Sequence, residues 1–423
     1  MNITIVTFSW PPRNSIAAHR PYSWAKYWSR AGANVTVLTA KKYEFDAPLD
    51  LNLPALPGVR VVEVPYLTAG SASATALFRG ALRGPLKRLR AFIRQRFGLS
   101  VNPRAGWLNA AIAASKDLAR DSNVVVSTYD PRETHLIAWA MKQANPKLKW
   151  VADYRDLWSQ NHLSGLSGNA LAAARAEEMA SVGVGADALT SISADLTQAL
   201  SSWLKKPAFV ITNGFDLDVA ELDANLSATS FTPNSPIRIV YTGLINLKHR
   251  DPRPLLETIQ AMERDGAIKP GQVRVEFYGI RNEEAIRLLT GAEYSGVVKV
   301  VDHIPRDQAL RTQREADLLL LLESGDPEAK GVLTGKVFEY MAAGRPILSL
   351  GSVPGSAIHD LIGECGAGVC AGDSRQVMRD TILGALREGR PSWYRPSRAA
   401  ILQYSREAQA MTMLRDVVGY QPS

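Results

Sequence analysis

Short β-branched and apolar runs alternate with helix-period patterns along almost the whole chain. In the first half, "ITIVTFS" (3–9), "NVTVLTA" (34–40), "VRVVEV" (59–64), "NVVVST" (123–128), "KWVADY" (149–154), "ALTSIS" (188–193) and "AFVITN" (208–213) read as strands. The second half repeats the scheme with "IRIVYTG" (237–243), "VRVEFYG" (273–279), "VVKVVDH" (297–303), "DLLLLLE" (317–323) and "PILSLG" (346–351). Strands apolar on both faces and joined by helices predict parallel sheets covered on both sides. The stretch 215–236 is rich in Asp, Asn, Ser, Thr and Pro and precedes a fresh strand. It predicts an α/β protein of two doubly wound, Rossmann-like domains, 1–215 and 216–399, facing each other across a cleft. Ligands of such sheets bind outside the carboxyl ends of the strands, so functional side chains belong in the turns just after strands.

One such turn leads into "GVLTGKVFEYMAAGRPIL" (331–348). Thr334 is placed as the N-cap, Gly335 and Lys336 as the first helical residues, and Gly344 as the C′ glycine with Pro346 beyond it. Val337, Phe338 and Met341 form the stripe that faces the core. A helix start offers free N–H groups and about half a positive charge, which suits a diphosphate. Gly335 lets a ligand approach the backbone, Lys336 adds a charge, and Glu339 one turn further in suits a ribose diol. The same residues also fit a capped helix in which Lys336 and Glu339 form an ordinary ion pair three residues apart. The turn in "YTGLINLKHRDPRPLLETI" (241–259) carries Lys248, His249 and Arg250 after Gly243. Cations on one post-strand loop can neutralise a diphosphate without a metal, or can simply face solvent.

The first half has its own post-strand concentrations. "STYDPRETHL" (127–136) and "ADYRDLWSQNH" (152–162) hold Asp130, His135, Asp153, Arg155, Asp156 and Trp158. Carboxylates, a guanidinium and an indole face suit sugar hydroxyls and ring stacking. A lone histidine opening a helix, such as His135, is as a rule structural. "SWPPRNSIAAHR" (9–20) adds Arg13, His19 and Arg20. No Ser–His–Asp pattern and no metal-ligand spacing accompanies them, which argues against hydrolases and metalloenzymes.

Composition narrows the class further. At 423 residues the chain exceeds one core, and 46% hydrophobic with 21% charged residues describes a globular protein. No apolar run approaches the roughly 18 residues of a membrane span. The start, "MNITIVTFSW", lacks the basic region of a signal peptide and reads as a strand. Cys365 and Cys370 read as buried thiols, and a cytoplasmic location is expected.

The net charge of +8 is local in origin. From Val64 to Lys116 the only charged side chains are basic, among them Arg79, Arg83, Lys87, Arg88, Arg90, Arg94, Arg96 and Arg104, interleaved with Phe78, Leu82, Leu86, Leu89, Ile93 and Phe97 at helical spacing. Gly84-Pro85 would divide this segment into two helices. A basic amphipathic segment of this kind fits peripheral contact with an anionic membrane face, or a packed helix with a solvated basic side. No helix-turn-helix, RRM or zinc pattern joins it, so nucleic acid is not the expected partner.

No G-x-G-x-x-G follows the first strand and no Walker A sequence is present, which turns the reading away from nicotinamide enzymes and P-loop ATPases. What the chain resembles is a glycosyltransferase of the GT-B fold, in the family 4 group that uses nucleotide sugars. The residues carrying this are "VTFSWPPRNSIAAHRPYSWAKYWSRAGANVTVLT", "WVADYRDLW", "SISADLTQAL…VITNGFD", "YTGLI" and "GKVFEYMAAGRPIL", in the right order over nearly all 423 residues. The resemblance implies a nucleotide diphosphate sugar held mainly by the second domain and an acceptor held mainly by the first. It puts Glu339 on the ribose, Lys248 or Arg250 with Thr334, Gly335 and Lys336 around the diphosphate, and retention of anomeric configuration without a metal ion or other cofactor. It makes His135, Arg155 and Asp156 the catalytic candidates, and implies that the final helix, 400–423, packs back on the first domain.

The departures from the family pattern are specific. Leu244 follows Gly243 where an arginine is usual, Arg155-Asp156 replaces a common His-Asp, and Tyr129 stands near an expected histidine. The family's Glu-x7-Glu pair would put a carboxylate at 331, which is Gly331 here, leaving Glu323 or Asp326 to contact the sugar. These changes fit bacterial surface-polysaccharide enzymes, whose acceptors are saccharides or lipid-linked saccharides. A catalytically weak nucleotide-sugar-binding scaffold and a GT-B nucleotide-sugar epimerase are the alternatives.

Overall fold

A computed structural model describes residues 1–44, 47–66, 105–161, 165–228, 232–388 and 391–421; the basic segment 79–104 lies outside the described residues. The chain forms two compact units. The first comprises Met1–Ile192, Leu196–Ile211 and the chain from Ala410 onward, and the second Ser193–Asp195 and Thr212–Gln409.

The first unit is built on a seven-stranded parallel sheet ordered β3-β2-β1-β4-β5-β6-β7. Its strands are β1 (Asn2–Thr7), β2 (Asn34–Ala40), β3 (Arg60–Val64), β4 (Val124–Tyr129), β5 (Lys149–Tyr154), β6 (Ala188–Ser191) and β7 (Ala208–Val210). Ile3, Ile5, Val37, Val125, Val126 and Val151 are buried, as strands covered on both faces require. The helix Ile16–Arg30 starts where the Ser15 hydroxyl accepts from the Ala17 N–H. Its Trp28 indole donates to the Ala410 carbonyl at 2.8 Å. Beyond Ala410, Met413, Leu414, Val417 and Val418 are buried in the same apolar cluster as Trp24 and Trp28.

The second unit has a six-stranded parallel sheet ordered β10-β9-β8-β11-β12-β13. Its strands are β8 (Ile237–Thr242), β9 (Val273–Tyr278), β10 (Val298–Val301), β11 (Leu318–Leu322), β12 (Ile347–Leu350) and β13 (Gly368–Gly372). All five leucines of β11 are buried, consistent with its place between β8 and β12. The strand β13 was not expected, because "GVCAG" has two glycines and no apolar run. Gly368 is nevertheless required there, since a Cβ would lie 2.0 Å from the Ile347 carbonyl oxygen of β12.

The strand order reverses between β1 and β4 in the first sheet and between β8 and β11 in the second. At such switch points the loops on either side diverge and leave a crevice at the carboxyl ends of the strands. Among the described residues no helix is long and apolar enough to cross a membrane.

Candidate functional site

At the switch point of the second unit, β8 runs into Gly243 and β11 into Glu323. Gly243 has φ +114, and a Cβ on it would stand 2.7 Å from Lys336 Cε and 3.0 Å from Lys336 Nζ. A glycine is therefore needed twice over, for its backbone and for the room it leaves Lys336. Lys336 Nζ donates to the Tyr241 hydroxyl at 2.6 Å and lies 4.2 Å from the centre of that ring. The Tyr241 hydroxyl donates onward to the Leu244 carbonyl at 2.7 Å. Lys336 is thus aimed at the β8 turn instead of pairing with Glu339, as the simple capped-helix expectation would have it.

The helix Gly335–Ala342 is capped at Thr334, whose side chain makes no capping hydrogen bond. Its first N–H groups are therefore not covered by their own cap residue. Val337, Phe338 and Met341 are buried as the stripe predicts. Gly344 follows with φ +69, and a Cβ there would come within 2.5 Å of the Asn225 backbone.

Charge gathers around Lys336. Burial, with the Arg250 guanidinium nearby, pulls its pKa down to about 8, against the opposing pull of Glu323 and Glu339. Burial pushes Glu323 up to about 7, with Arg250 and Lys336 acting in the opposite sense. Glu323 Oε1 is buried and has no hydrogen-bond partner among the described residues. A buried carboxylate oxygen without a protein donor is unusual, and it leaves an acceptor open to a ligand or a water molecule. Asp326, the other candidate for the missing carboxylate, accepts from the Glu328 N–H through Oδ1 at 2.9 Å.

The two cations of the β8 loop differ. Arg250 is within electrostatic reach of Glu323, Lys336 and Tyr241. Lys248 is exposed to solvent. Glu339 is bound by Arg306, whose Nη2 lies 2.8 Å from Glu339 Oε1. The next residue, Tyr340, is fully buried, and its hydroxyl accepts from the Thr242 N–H at 3.1 Å. Arg250, Lys336, Glu339 and Glu323 thus occupy one region of the second unit. No spacing in the sequence signals the contacts that Tyr241 makes with Lys336 or Arg306 with Glu339.

The first unit treats its candidates differently. His135 is fully buried, with Nδ1 2.7 Å from the Ser127 hydroxyl oxygen. That oxygen also accepts from the Trp150 indole at 2.8 Å. Burial pulls the ring's pKa down to about 3. His135 is therefore a neutral core residue in this structure, among Tyr129, Trp150 and Tyr154, and not a solvent-facing base.

Asp153 is likewise internal. It takes two bonds from Arg20, at 3.1 and 2.7 Å, and one each from the hydroxyls of Thr128 and Thr190, at 2.8 and 2.7 Å. Asp153 and Arg20 therefore hold β4, β5, β6 and the first helix together instead of lining a cleft wall. Arg155 and Asp156 do sit just past β5, paired with each other at 2.8 Å. Trp158 is buried against Tyr129. Arg13 lies 5.3 Å from the centre of the Phe8 ring. Beside the end of β1, Trp10, Pro12, Tyr22, Leu53, Leu56 and Val61 contribute to a groove of about 420 Å³ in which no charged side chain lines the wall among the described residues.

No family model and no curated protein matches this chain. Solved structures match it over its length. A structure described as trehalose-6-phosphate from E. coli bound with UDP-2-fluoro glucose aligns at TM-score 0.61 and 11% identity, covering 100% of each chain. A UDP-forming α,α-trehalose-phosphate synthase from Burkholderia vietnamiensis aligns at TM-score 0.59 and 12% identity, over 99% of this chain and 100% of that one. A putative UDP-N-acetylglucosamine 2-epimerase from Listeria monocytogenes aligns at TM-score 0.50 and 12% identity, over 98% and 95%. At these identities the likeness establishes the fold, which is GT-B, with two parallel-sheet α/β domains.

Proposed function

We propose that this protein is a glycosyltransferase of family 4 type. It would move a sugar from a nucleotide diphosphate sugar to a saccharide or lipid-linked acceptor, with retention and without a metal ion, in polysaccharide or glycoconjugate biosynthesis. The observation that carries this is the gathering of Lys336, Arg250 and Glu323, whose Oε1 accepts no hydrogen bond among the described residues, at the β8–β11 switch point beside the start of the helix Gly335–Ala342. A diphosphate there meets two cations and the positive end of a helix, which stabilise the charge that develops on the leaving group. Two of the similar structures carry UDP or a UDP sugar analogue in their descriptions, which supports a nucleotide sugar as donor.

In this reading Glu339 accepts from the ribose, Arg250 and Lys336 hold the diphosphate with Thr334 and Gly335, and Glu323 takes the sugar contact that Gly331 lacks. Arg250 is preferred to Lys248 because its charge is felt at Lys336 and Glu323. On the acceptor side, Arg155 and Asp156 remain the candidates for contact with the reacting groups, and His135 packs against Tyr154, the residue before Arg155. The groove beside Trp10 and Tyr22, which Asn52 also lines, suits a portion of the acceptor.

The test is incubation with UDP-, GDP- and ADP-sugars, with and without saccharide acceptors, followed by product analysis. Acceptor-dependent release of nucleoside diphosphate with a new glycosidic bond supports the proposal. Inversion at C2 without acceptor would identify an epimerase, and binding without turnover a scaffold; either would overturn the transferase reading.

A further inference from the structure

The pair between Arg306 and Glu339 is poorly explained as a stabilising contact. Arg306 is 43% exposed and Glu339 14%. Pairs as open as this contribute about 0–1 kcal/mol at most. Its effect on geometry is more definite. Arg306 opens the helix Arg306–Arg314, and Gln313 of the same helix donates to the Thr242 hydroxyl at 2.9 Å. The N–H of Thr242 in turn donates to Tyr340, the neighbour of Glu339. The segment carrying Glu339 is thus tied to the helix Arg306–Arg314 twice, through the buried end of β8 and through the surface pair. The ion pair puts Arg306 against one oxygen of Glu339, Oε1, and so biases how the carboxylate is presented.

We propose that Arg306 is a positioning residue for recognition of the donor's ribose: it holds the Glu339 carboxylate so that its remaining oxygen accepts from a ribose hydroxyl. The inference rests on the donor-site reading above and adds to it a residue and a selectivity, for ribonucleotides over 2′-deoxyribonucleotides. A carboxylate fixed by a guanidinium loses little rotamer freedom on binding, whereas a free glutamate must be ordered by the ligand itself.

Calorimetry with UDP, GDP and ADP and with the 2′-deoxy form of each tests this on the full chain. Wild-type protein should bind its preferred ribonucleotide about tenfold or more tighter than the deoxy analogue, as expected for one charge-assisted hydrogen bond. Arg306→Met should lower that ratio by up to about fivefold, mainly by weakening the ribonucleotide, and Arg306→Lys should keep part of it. In a Glu339→Gln background, Arg306→Met should change the ratio no further. A ratio unchanged in Arg306→Met, or equal weakening of both nucleotides, would overturn the positioning role while leaving the donor site in place. Wild-type protein that binds none of these nucleotides would remove the donor-site reading and this inference together.

Discussion

Lys336 is held by an arrangement in which each atom has a purpose: a glycine beneath it, a phenol accepting from it and an arginine beside it. Gly243→Ala would place a methyl group against Lys336 Cε at a φ of +114. We expect it to lower stability by about 1–3 kcal/mol and to weaken nucleoside diphosphate binding, measured by denaturant unfolding and calorimetry. Full affinity in that variant would mean that Lys336 need not occupy its present position.

The pH dependence follows from the same residues. A diphosphate favours charged Lys336, so affinity should fall as pH rises through about 8. For stability, the folded chain releases this proton near 8 and the unfolded chain near 10.5, so between those values the Lys336 contribution rises with pH. Glu323 has the opposite sign. Its folded pKa of about 7 lies above the ordinary 4.5, so its contribution is fully present below 4.5 and is lost as pH rises through 7. Glu323→Gln should therefore flatten the decline of stability between about pH 4.5 and 7, as read from unfolding midpoints. An unchanged slope would place Glu323 in a wetter setting than the structure gives it.

At the scale of elements, the helix Gly335–Ala342 shows what the sequence made legible and what it did not. Its buried stripe, its N-cap position and its C′ glycine follow from local spacing and turn chemistry. Its partners do not, because Tyr241 and Arg306 lie 95 and 33 residues away in the chain and meet it only through the order of strands in the sheet. The same limit misplaced His135 and Asp153, whose position after strands suggested a ligand wall. Ser127, Trp150, Arg20, Thr128 and Thr190 draw them into the core instead. The sequence offered one fair warning, that a lone histidine opening a helix is as a rule structural. Gly344→Ala is expected to lower stability by about 1–3 kcal/mol, since its Cβ would meet the Asn225 backbone at a positive φ. An unfolding midpoint equal to wild type would show that the helix end can shift without cost.

For the whole molecule, the alternation of apolar runs and helix-period segments was enough to read two doubly wound sheets, because buried parallel strands leave an unmistakable apolar signature. The strand β13 escaped, since close packing against β12 had selected glycine over the apolar residues that announce a strand. In the first unit, the buried Arg20–Asp153 pair joins elements more than 130 residues apart. Asp153→Ala would leave Arg20 buried without its countercharge and should destabilise the protein by about 3–5 kcal/mol in chemical denaturation.

The central claim is that the second unit binds a nucleoside diphosphate through the residues at the β8–β11 switch point. Titration calorimetry of UDP, GDP and ADP against wild-type protein, Lys336→Ala and Glu339→Ala measures this directly. One of the three nucleotides should bind the wild type, and each substitution should weaken it by about 1–3 kcal/mol. Binding with the same affinity in both variants would contradict the site, and no binding to the wild type would contradict the donor class.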